Sequence, residues 1–78
     1  MLLGWSRDLF YPNWTPLHGA RVWAGLSQGD LARIVGTSRE TISSVERGAS
    51  IPSVTLAIAI AQAVGLTVEE VFSSDELR

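Results

Sequence analysis

The residues between Ser27 and Gly48 constrain this chain more than any other part, because they contain the start and stop signals of two short helices in succession. The hydroxyl of Ser27 can accept a hydrogen bond from a free amide of a helix that begins at Gln28. Gly36 ends that helix, since glycine enters the left-handed conformation at little cost. Ser38 caps the second helix in the same way, and Gly48 ends it. The stretch therefore predicts two short helices joined by a tight turn.

Apolar residues recur at helical spacing in both segments. The first helix has an expected inward stripe, and the second continues it with Ile42 and Val45. The stripe of the first helix consists of Leu31, Ala32, Ile34 and Val35. The remaining positions of the second helix are polar and mostly short: Arg39, Glu40, Thr41, Ser43, Ser44 and Arg47. A helix with one buried stripe and an outer face of short polar side chains is shaped to enter a DNA major groove.

This pattern resembles the helix-turn-helix of lambda-repressor-like (Xre/Cro class) DNA-binding domains. The matching residues are Ser27, Gln28, Leu31, Ala32, Gly36, Ser38, Thr41, Ile42, Ser43, Glu46 and Gly48. The likeness extends over about residues 17–72 and includes the Ile51-Pro52-Ser53 segment and the run from Gly65 to Phe72. It implies an all-α, compact five-helix domain whose recognition helix, residues 38–47, enters the major groove.

The rest of the chain completes a domain over residues 15–72, with the helix-turn-helix at 27–48. Thr15 and Pro16 predict the start of a first helix that runs to Ala24, with Leu17, Ala20 and Trp23 as packing residues. Ser53 and Gly65 bound a fourth helix, and Thr67 caps a short last one from Val68 to Phe72.

The fourth helix, Val54 to Val64, is apolar nearly all round, with Thr55 and Gln62 as its polar residues. Such a helix is expected to be buried on more than one side. Part of its surface belongs to the core, and the rest predicts either an added partner surface or a cover from the N-terminal segment.

The chain ends are less regular. Residues 1–14 carry Trp5, Phe10, Tyr11 and Trp14, but Pro12 and its neighbours break any helical period, which predicts a non-helical aromatic arm. Three arrangements stay open: an arm over the domain's own core, an arm that packs on a second subunit or enters a DNA groove, or a disordered arm. The aromatic content argues against the last. Residues 73–78 predict an acidic tail.

The charge distribution argues against strong nonspecific DNA affinity. The net charge is −2 and all basic residues are arginines, whereas DNA-binding proteins usually show a basic surface. Acidic residues concentrate near the C-terminus, so residues 1–68 carry five arginines against four acids. Residues 27–48 contain three arginines and three acidic residues, so their formal charges cancel. This balance is compatible with a weak, sequence-reading contact that depends on dimerisation.

The amino-acid composition argues against several classes of protein. There is no cysteine and a single histidine, His18, so neither a disulfide framework nor a metal or cofactor site is expected, and the chain is not expected to be an enzyme. No apolar run reaches the roughly 18 to 20 residues that cross a bilayer, and the N-terminus lacks the pattern of a signal peptide. We therefore expect no membrane association and a reducing, cytoplasmic setting.

The resemblance and the residue chemistry together name the candidate site. Arg39 can bond guanine bidentately, Glu40 can accept from cytosine or orient Arg39, and Ser44 can touch a base edge. Phosphate contacts are expected from Gln28, Ser38, Thr41, Ser43 and Ser50. The resemblance assigns Glu46 a structural role, with Arg21 as its partner. For each polar position of the recognition helix the alternative is an ordinary solvated surface.

The leading hypothesis is a homodimeric, sequence-specific transcriptional regulator that binds a palindromic operator in double-stranded DNA. The alternative is a protein-interaction module on the same fold, such as an antitoxin-like or adaptor subunit. The near-neutral charge, the absence of lysine, the aromatic arm and the apolar fourth helix support that alternative.

Overall fold

Five α-helices follow one another along residues 16–72, the part of the chain that the computed structural model describes. They are α1 (Pro16–Trp23), α2 (Gln28–Val35), α3 (Arg39–Glu46), α4 (Val54–Val64) and α5 (Val68–Val71). No β-strand occurs within residues 16–72. The all-α, five-helix prediction is confirmed, whereas the predicted arm (residues 1–14), the Thr15 cap and the acidic tail (residues 73–78) lie outside the described residues.

Side-chain hydrogen bonds begin α2, α3, α4 and α5 where the sequence predicts. Ser27 and Asp30 form a reciprocal capping box: Ser27 Oγ accepts from the Asp30 amide at 2.9 Å, and the Asp30 carboxylate accepts from the Ser27 amide at 3.0 Å. Ser38 Oγ accepts from the Thr41 amide at 3.1 Å and starts α3. The remaining two caps are Ser53 for α4 and Thr67 for α5. Each cap satisfies backbone donors that a helix start leaves without a partner.

The turn between α2 and α3 depends on Gly36. Its φ of 79° lies in the left-handed region, which glycine adopts without the steric cost that a Cβ brings. The amides of Gly36 and Thr37 both donate to the Ala32 carbonyl at 2.9 Å. The chain therefore turns within the three residues that separate α2 from α3.

Each helix contributes one fully buried aliphatic side chain to a single core: Leu17, Leu31, Ile42, Ile60 and Val71. Helix α2 packs against α3 and α4, α1 packs against α3 and α5, and α4 packs against α5. Burying one such side chain stabilises a fold by roughly 1.5–3 kcal/mol. The shared core fixes the orientation of α3 relative to α2 and therefore the shape of the surface that both present.

Two packing predictions are wrong. Trp23 is 70% exposed and Ile34 is 59% exposed. Helix α2 meets its neighbours through Leu31 and Ala32, so Ile34, at the border of the apolar stripe, faces outward. Trp23 is the last residue of α1, whose buried residues, Leu17, Ala20 and Arg21, all precede it.

Three helix ends differ from the predictions by one residue. Helix α1 ends at Trp23 rather than Ala24, and α5 ends at Val71 rather than Phe72. Helix α3 ends at Glu46, because Arg47 forms its C-cap and Gly48 adopts a φ of 73° in the turn that follows.

The prediction that α4 is buried on more than one side stays a prediction, because the partner or N-terminal segment expected to cover its second side lies outside the described residues 16–72. Ala57, Ile60 and Ala61 are buried, but Val54 is 66% exposed and Ile58 is 43% exposed. These two residues are four positions apart and therefore share one face of the helix. None of the helices in residues 16–72 combines the length and the apolarity that a bilayer span requires.

Candidate nucleic-acid interface

Helix α3 has a buried back and a polar front. Ile42, Val45 and Glu46 are buried against the rest of the domain. Arg39 and Glu40 are exposed, and Ser43 and Ser44 are half-buried. The core therefore holds the helix by one side while the candidate base-contacting side chains stay on the open side.

A cleft of about 150 Å³ lies where the start of α2 meets α3. Its lining residues are Gln28, Arg39, Glu40, Ser43 and Arg47. The first four were expected at the site, whereas Arg47 was not assigned a contact. The signal for Arg47 was present in the spacing, because Arg39, Ser43 and Arg47 follow one another at intervals of four residues and so share a helix face.

The pairing of charges differs from the balance in the sequence. Arg33 Nη2 lies 2.6 Å from Asp30 Oδ1 on α2, and Arg21 Nε lies 2.5 Å from the buried Glu46 Oε2. Arg39 makes no side-chain hydrogen bond or ion pair with any other residue between 16 and 72. The sequence suggested that the three acids within residues 27–48 neutralise the three arginines of the same stretch. This expectation is wrong, because Glu46 pairs instead with Arg21 of α1.

Two arginines and one carboxylate consequently line the cleft. Arg47 Nε donates to the carbonyl of Ser43 at 3.3 Å, which leaves its charge without a carboxylate partner among the described residues. Glu40 is exposed at the start of α3. The local charge of +1 contrasts with the acidic chain as a whole and suits a phosphate group.

The hydroxyl groups of Ser38 and Thr41 serve the start of α3. Ser38 Oγ lies 2.9 Å from Thr41 Oγ1 in addition to accepting from the Thr41 amide. Neither residue lines the cleft. A phosphate contact from either hydroxyl has to coexist with the capping bonds.

Ser44 and Ser50 are brought together by the loop that follows α3. The Ser44 carbonyl accepts from the amides of Ala49 at 2.9 Å and of Ser50 at 3.3 Å. The loop thus folds back over the end of α3, with Ser50 exposed and Ser44 half-buried. Neither side chain is among the residues that line the cleft.

A buried hydrogen-bond network underlies the cleft and is centred on Glu46, whose exposed fraction is 0%. Arg21 donates through Nε to Oε2 of this carboxylate, and through Nη1 to the Leu26 carbonyl at 2.7 Å. Gln28 Nε2 donates to Glu46 Oε1 at 3.2 Å, and His18 Nδ1 lies 3.2 Å from the same oxygen. The network joins α1, α2 and α3. The contacts of Gln28 and His18 with Glu46 were not predicted from the sequence.

Comparison with known proteins identifies the family of this arrangement. The Helix-turn-helix family model matches residues 17–71. An uncharacterized HTH-type transcriptional regulator of Methanocaldococcus jannaschii, MJ0272, is 42% identical over 52 residues, which cover 67% of this chain and 79% of the relative. The uncharacterized HTH-type transcriptional regulator YgzD of Bacillus subtilis is 38% identical over 52 residues, with the same coverage.

Among solved structures, the restriction-modification controller protein C.AhdI from Aeromonas hydrophila is similar. Its TM-score is 0.67 at 34% sequence identity, and the match covers 72% of this chain and 85% of the controller protein. The similarity therefore includes both the sequence of the helix-turn-helix and the packing of the helices around it.

Proposed function

Since this chain belongs to the helix-turn-helix, Xre and lambda-repressor-like family of transcriptional regulators, we propose that it binds double-stranded DNA sequence-specifically and regulates transcription as a homodimer. One observation carries the proposal. Helix α3 is fixed from behind by the core, and its open face presents Arg39 without a protein partner among residues 16–72, beside the cleft that Arg47 and Gln28 line.

In this proposal α3 lies in the major groove. Arg39 bonds the O6 and N7 of a guanine, Glu40 accepts from a cytosine amine or orients Arg39, and Ser44 reaches a base edge. Phosphates on either side are held by Gln28, Ser38, Thr41, Ser43 and Ser50. The first-turn amides of α2 add to the attraction of Gln28 for a phosphate, because the start of a helix favours negative charge. The DNA-binding unit is residues 15–72, and Arg21 and Glu46 support it from within.

The proposed homodimer compensates for the weak charge of a single copy. Two copies double the base and phosphate contacts, and they read two half-sites of a palindromic operator about one helical turn apart. Occupancy of the operator then blocks or recruits polymerase in the cytoplasm.

The proposed dimer surface is the exposed stripe of α4 formed by Val54 and Ile58, with the exposed Ile51 in the loop before the helix. No charged residue occurs between residues 48 and 68. In a two-fold dimer the same patch meets itself, and an uncharged apolar patch does so without repulsion between like charges. The same stripe also supports the second candidate function, a protein-interaction module in which another protein occupies it.

Selection of duplexes from a random pool, followed by a salt series, tests the DNA-binding proposal. We expect an enriched motif with two-fold symmetry and an affinity that falls steeply as the salt concentration rises. A plot of the logarithm of the binding constant against the logarithm of the salt concentration should have a slope of about −0.9 for each phosphate contacted. Selection without an enriched motif would contradict DNA reading and favour the interaction module.

Light scattering tests the dimer surface independently. Ile58→Glu places a charge in the stripe and is expected to yield monomers, whereas Ile34→Glu, the same change at an exposed isoleucine of α2, should leave the assembly unchanged. A dimer that survives Ile58→Glu but is lost when residues 1–14 are removed would move the interface to the N-terminal segment.

A further inference from the structure

The side-chain amide of Gln28 lies between the buried network and the cleft. Its Nε2 atom donates to Glu46 Oε1 at 3.2 Å, and the residue also lines the cleft with Arg39 and Arg47. An amide nitrogen carries two hydrogens, and a single acceptor atom takes only one of them in good geometry. One N–H of Gln28 is therefore held by the protein, and the other remains for a different acceptor.

Glu46 is well suited to hold a neighbouring side chain in place. It is 0% exposed, and its Oε2 is fixed by Arg21 Nε. Arg21 Nη2 and His18 Nδ1 lie 3.3 Å and 3.2 Å from Oε1, the oxygen that Gln28 uses. The carboxylate is thus restrained from α1 and by its burial, and a hydrogen bond to a charged acceptor is stronger than one between neutral groups.

We propose that Glu46 is a positioning residue for DNA binding: it holds the side-chain amide of Gln28 at the start of α2, so that the second N–H and the backbone amides of Gln28 and Gly29, which the Ser27 cap does not use, meet one phosphate together. The role rests on the proposed DNA-binding function and adds to the scaffold role of Glu46. A glutamine side chain that is ordered before binding loses less conformational freedom when the phosphate arrives.

The same geometry predicts what replacing Glu46 by glutamine does. Glu46→Gln keeps one oxygen for Arg21 Nε and places an NH2 group toward Gln28, His18 and Arg21 Nη2. Two NH2 groups cannot bond each other through their hydrogens, so Gln28 either turns away or reverses its amide and accepts through its carbonyl oxygen. In both cases the second N–H leaves the position that it has in the wild type. Glu46→Gln also lowers the stability, because the buried charge of Arg21 loses its carboxylate partner. Affinities are therefore compared between folded proteins, in which the phosphate contact has lost its orientation.

A double-mutant cycle of DNA affinity tests the proposal, with four proteins: the wild type, Gln28→Ala, Glu46→Gln and the double variant. We expect Glu46→Gln to weaken binding about three- to tenfold for each copy bound, the range expected for one hydrogen bond. In the Gln28→Ala background the same change should have no further effect. Glu69→Gln, which removes one negative charge from the exposed start of α5, is the matched control and should leave the affinity unchanged.

The order of the Gln28 side-chain amide, measured by NMR relaxation in the DNA-free wild type, is a second readout that needs no variant. We expect the Gln28 side-chain amide to be rigid in the wild type and mobile in Glu46→Gln. Should Glu46→Gln not fold, Glu46→Asp replaces it, since aspartate keeps the charge for Arg21 but reaches less far toward Gln28.

Two results overturn the proposal: an equal loss of affinity from Glu46→Gln in both backgrounds, which makes the effect independent of Gln28, or a mobile Gln28 amide in the free wild type. A wild-type protein that binds no duplex is distinguishable from both, because it refutes the proposed DNA-binding function itself and this role with it.

Discussion

Arg21 of α1 and Glu46 of α3 are 25 residues apart in the chain, and their side chains form an ion pair in the interior of the domain. The carboxylate is completely buried, and the guanidinium also donates to the Leu26 carbonyl in the link between α1 and α2. A single arginine therefore ties α1 to α3 and to the link that leads into α2, and these elements shape the candidate DNA-binding surface. A buried charge is tolerated only when it is paired in this manner.

Glu46→Ala is expected to lower the free energy of unfolding by about 3–5 kcal/mol, because it leaves the charge of Arg21 buried without a partner. Urea denaturation measures the change. Glu40→Ala is the control on the same helix: Glu40 is exposed, and its loss should cost less than about 1 kcal/mol, the contribution of a carboxylate near a helix start. Similar losses for the two variants would show that the buried pair contributes little.

Gly36 and Gly29 are expected to respond to the same substitution with opposite signs. Gly36→Ala places a Cβ at a φ of 79° and should destabilise the protein by about 1–2 kcal/mol, although no atom within 4 Å obstructs it. Gly29 lies inside α2, where a Cβ would meet only Ser27 Oγ at 3.8 Å. Gly29→Ala should therefore stabilise by about 0.5–1 kcal/mol. Thermal melts of both variants test the pair, and an unchanged melting temperature for Gly36→Ala would refute the backbone argument.

The capping box of α2 should make part of the stability depend on pH. Hydrogen bonds from the Ser27 amide and hydroxyl, and then the interaction with Arg33, lower the pKa of Asp30 below 3.8. Since the pKa is lower in the folded state, the stabilisation is present above the unfolded value and is lost as pH falls through the folded one.

Unfolding of the wild type and Asp30→Asn should therefore be compared from neutral pH down to the titration range of aspartate, about pH 4 and below. The wild type should be the more stable protein at neutral pH, and the difference should shrink as the carboxylate is protonated. A difference that is constant with pH would exclude an effect of the Asp30 charge.

Arg39→Ala should weaken binding to the selected duplex by about 1–3 kcal/mol and relax the preference at one base pair of each half-site. The reason is that Arg39 is exposed on α3 and has no partner within residues 16–72. Arg33→Ala removes the same charge from α2, where Asp30 already neutralises it, and serves as the control. If both variants lose the same affinity and the base preference does not change, Arg39 contributes only a nonspecific positive charge to binding.

Much of the local structure followed from the sequence. The capping residues Ser27, Ser38, Ser53 and Thr67 were identified correctly, as was the turn at Gly36, because these signals act between residues two to four positions apart. The inward positions Leu31, Ile42 and Val45 were also correct. Ile34 and Trp23 were not, since apolar character does not show where the contact with a neighbouring helix ends.

The candidate site was only partly accessible to this reasoning. Gln28, Arg39, Glu40 and Ser43 could be named from their positions on two helices, and they meet in the cleft. Arg47 was overlooked although its spacing pointed to the same face. The hydrogen bond between Gln28 and Glu46 could not be found by spacing, because it crosses between two helices.

The amino-acid sequence was enough to place the helix starts at Ser27, Ser38, Ser53 and Thr67 and to identify the polar face of α3, because those properties arise from hydrogen bonds and periodicity within a few residues. Which charges are available to a ligand depends instead on how the helices pack. Arg33 is neutralised on its own helix, Glu46 is buried with an arginine of α1, and Arg39 remains open. Charge pairing depends on distances of a few ångströms, and these distances are set by how the helices pack. A count of charges along the chain therefore does not show which of them are paired.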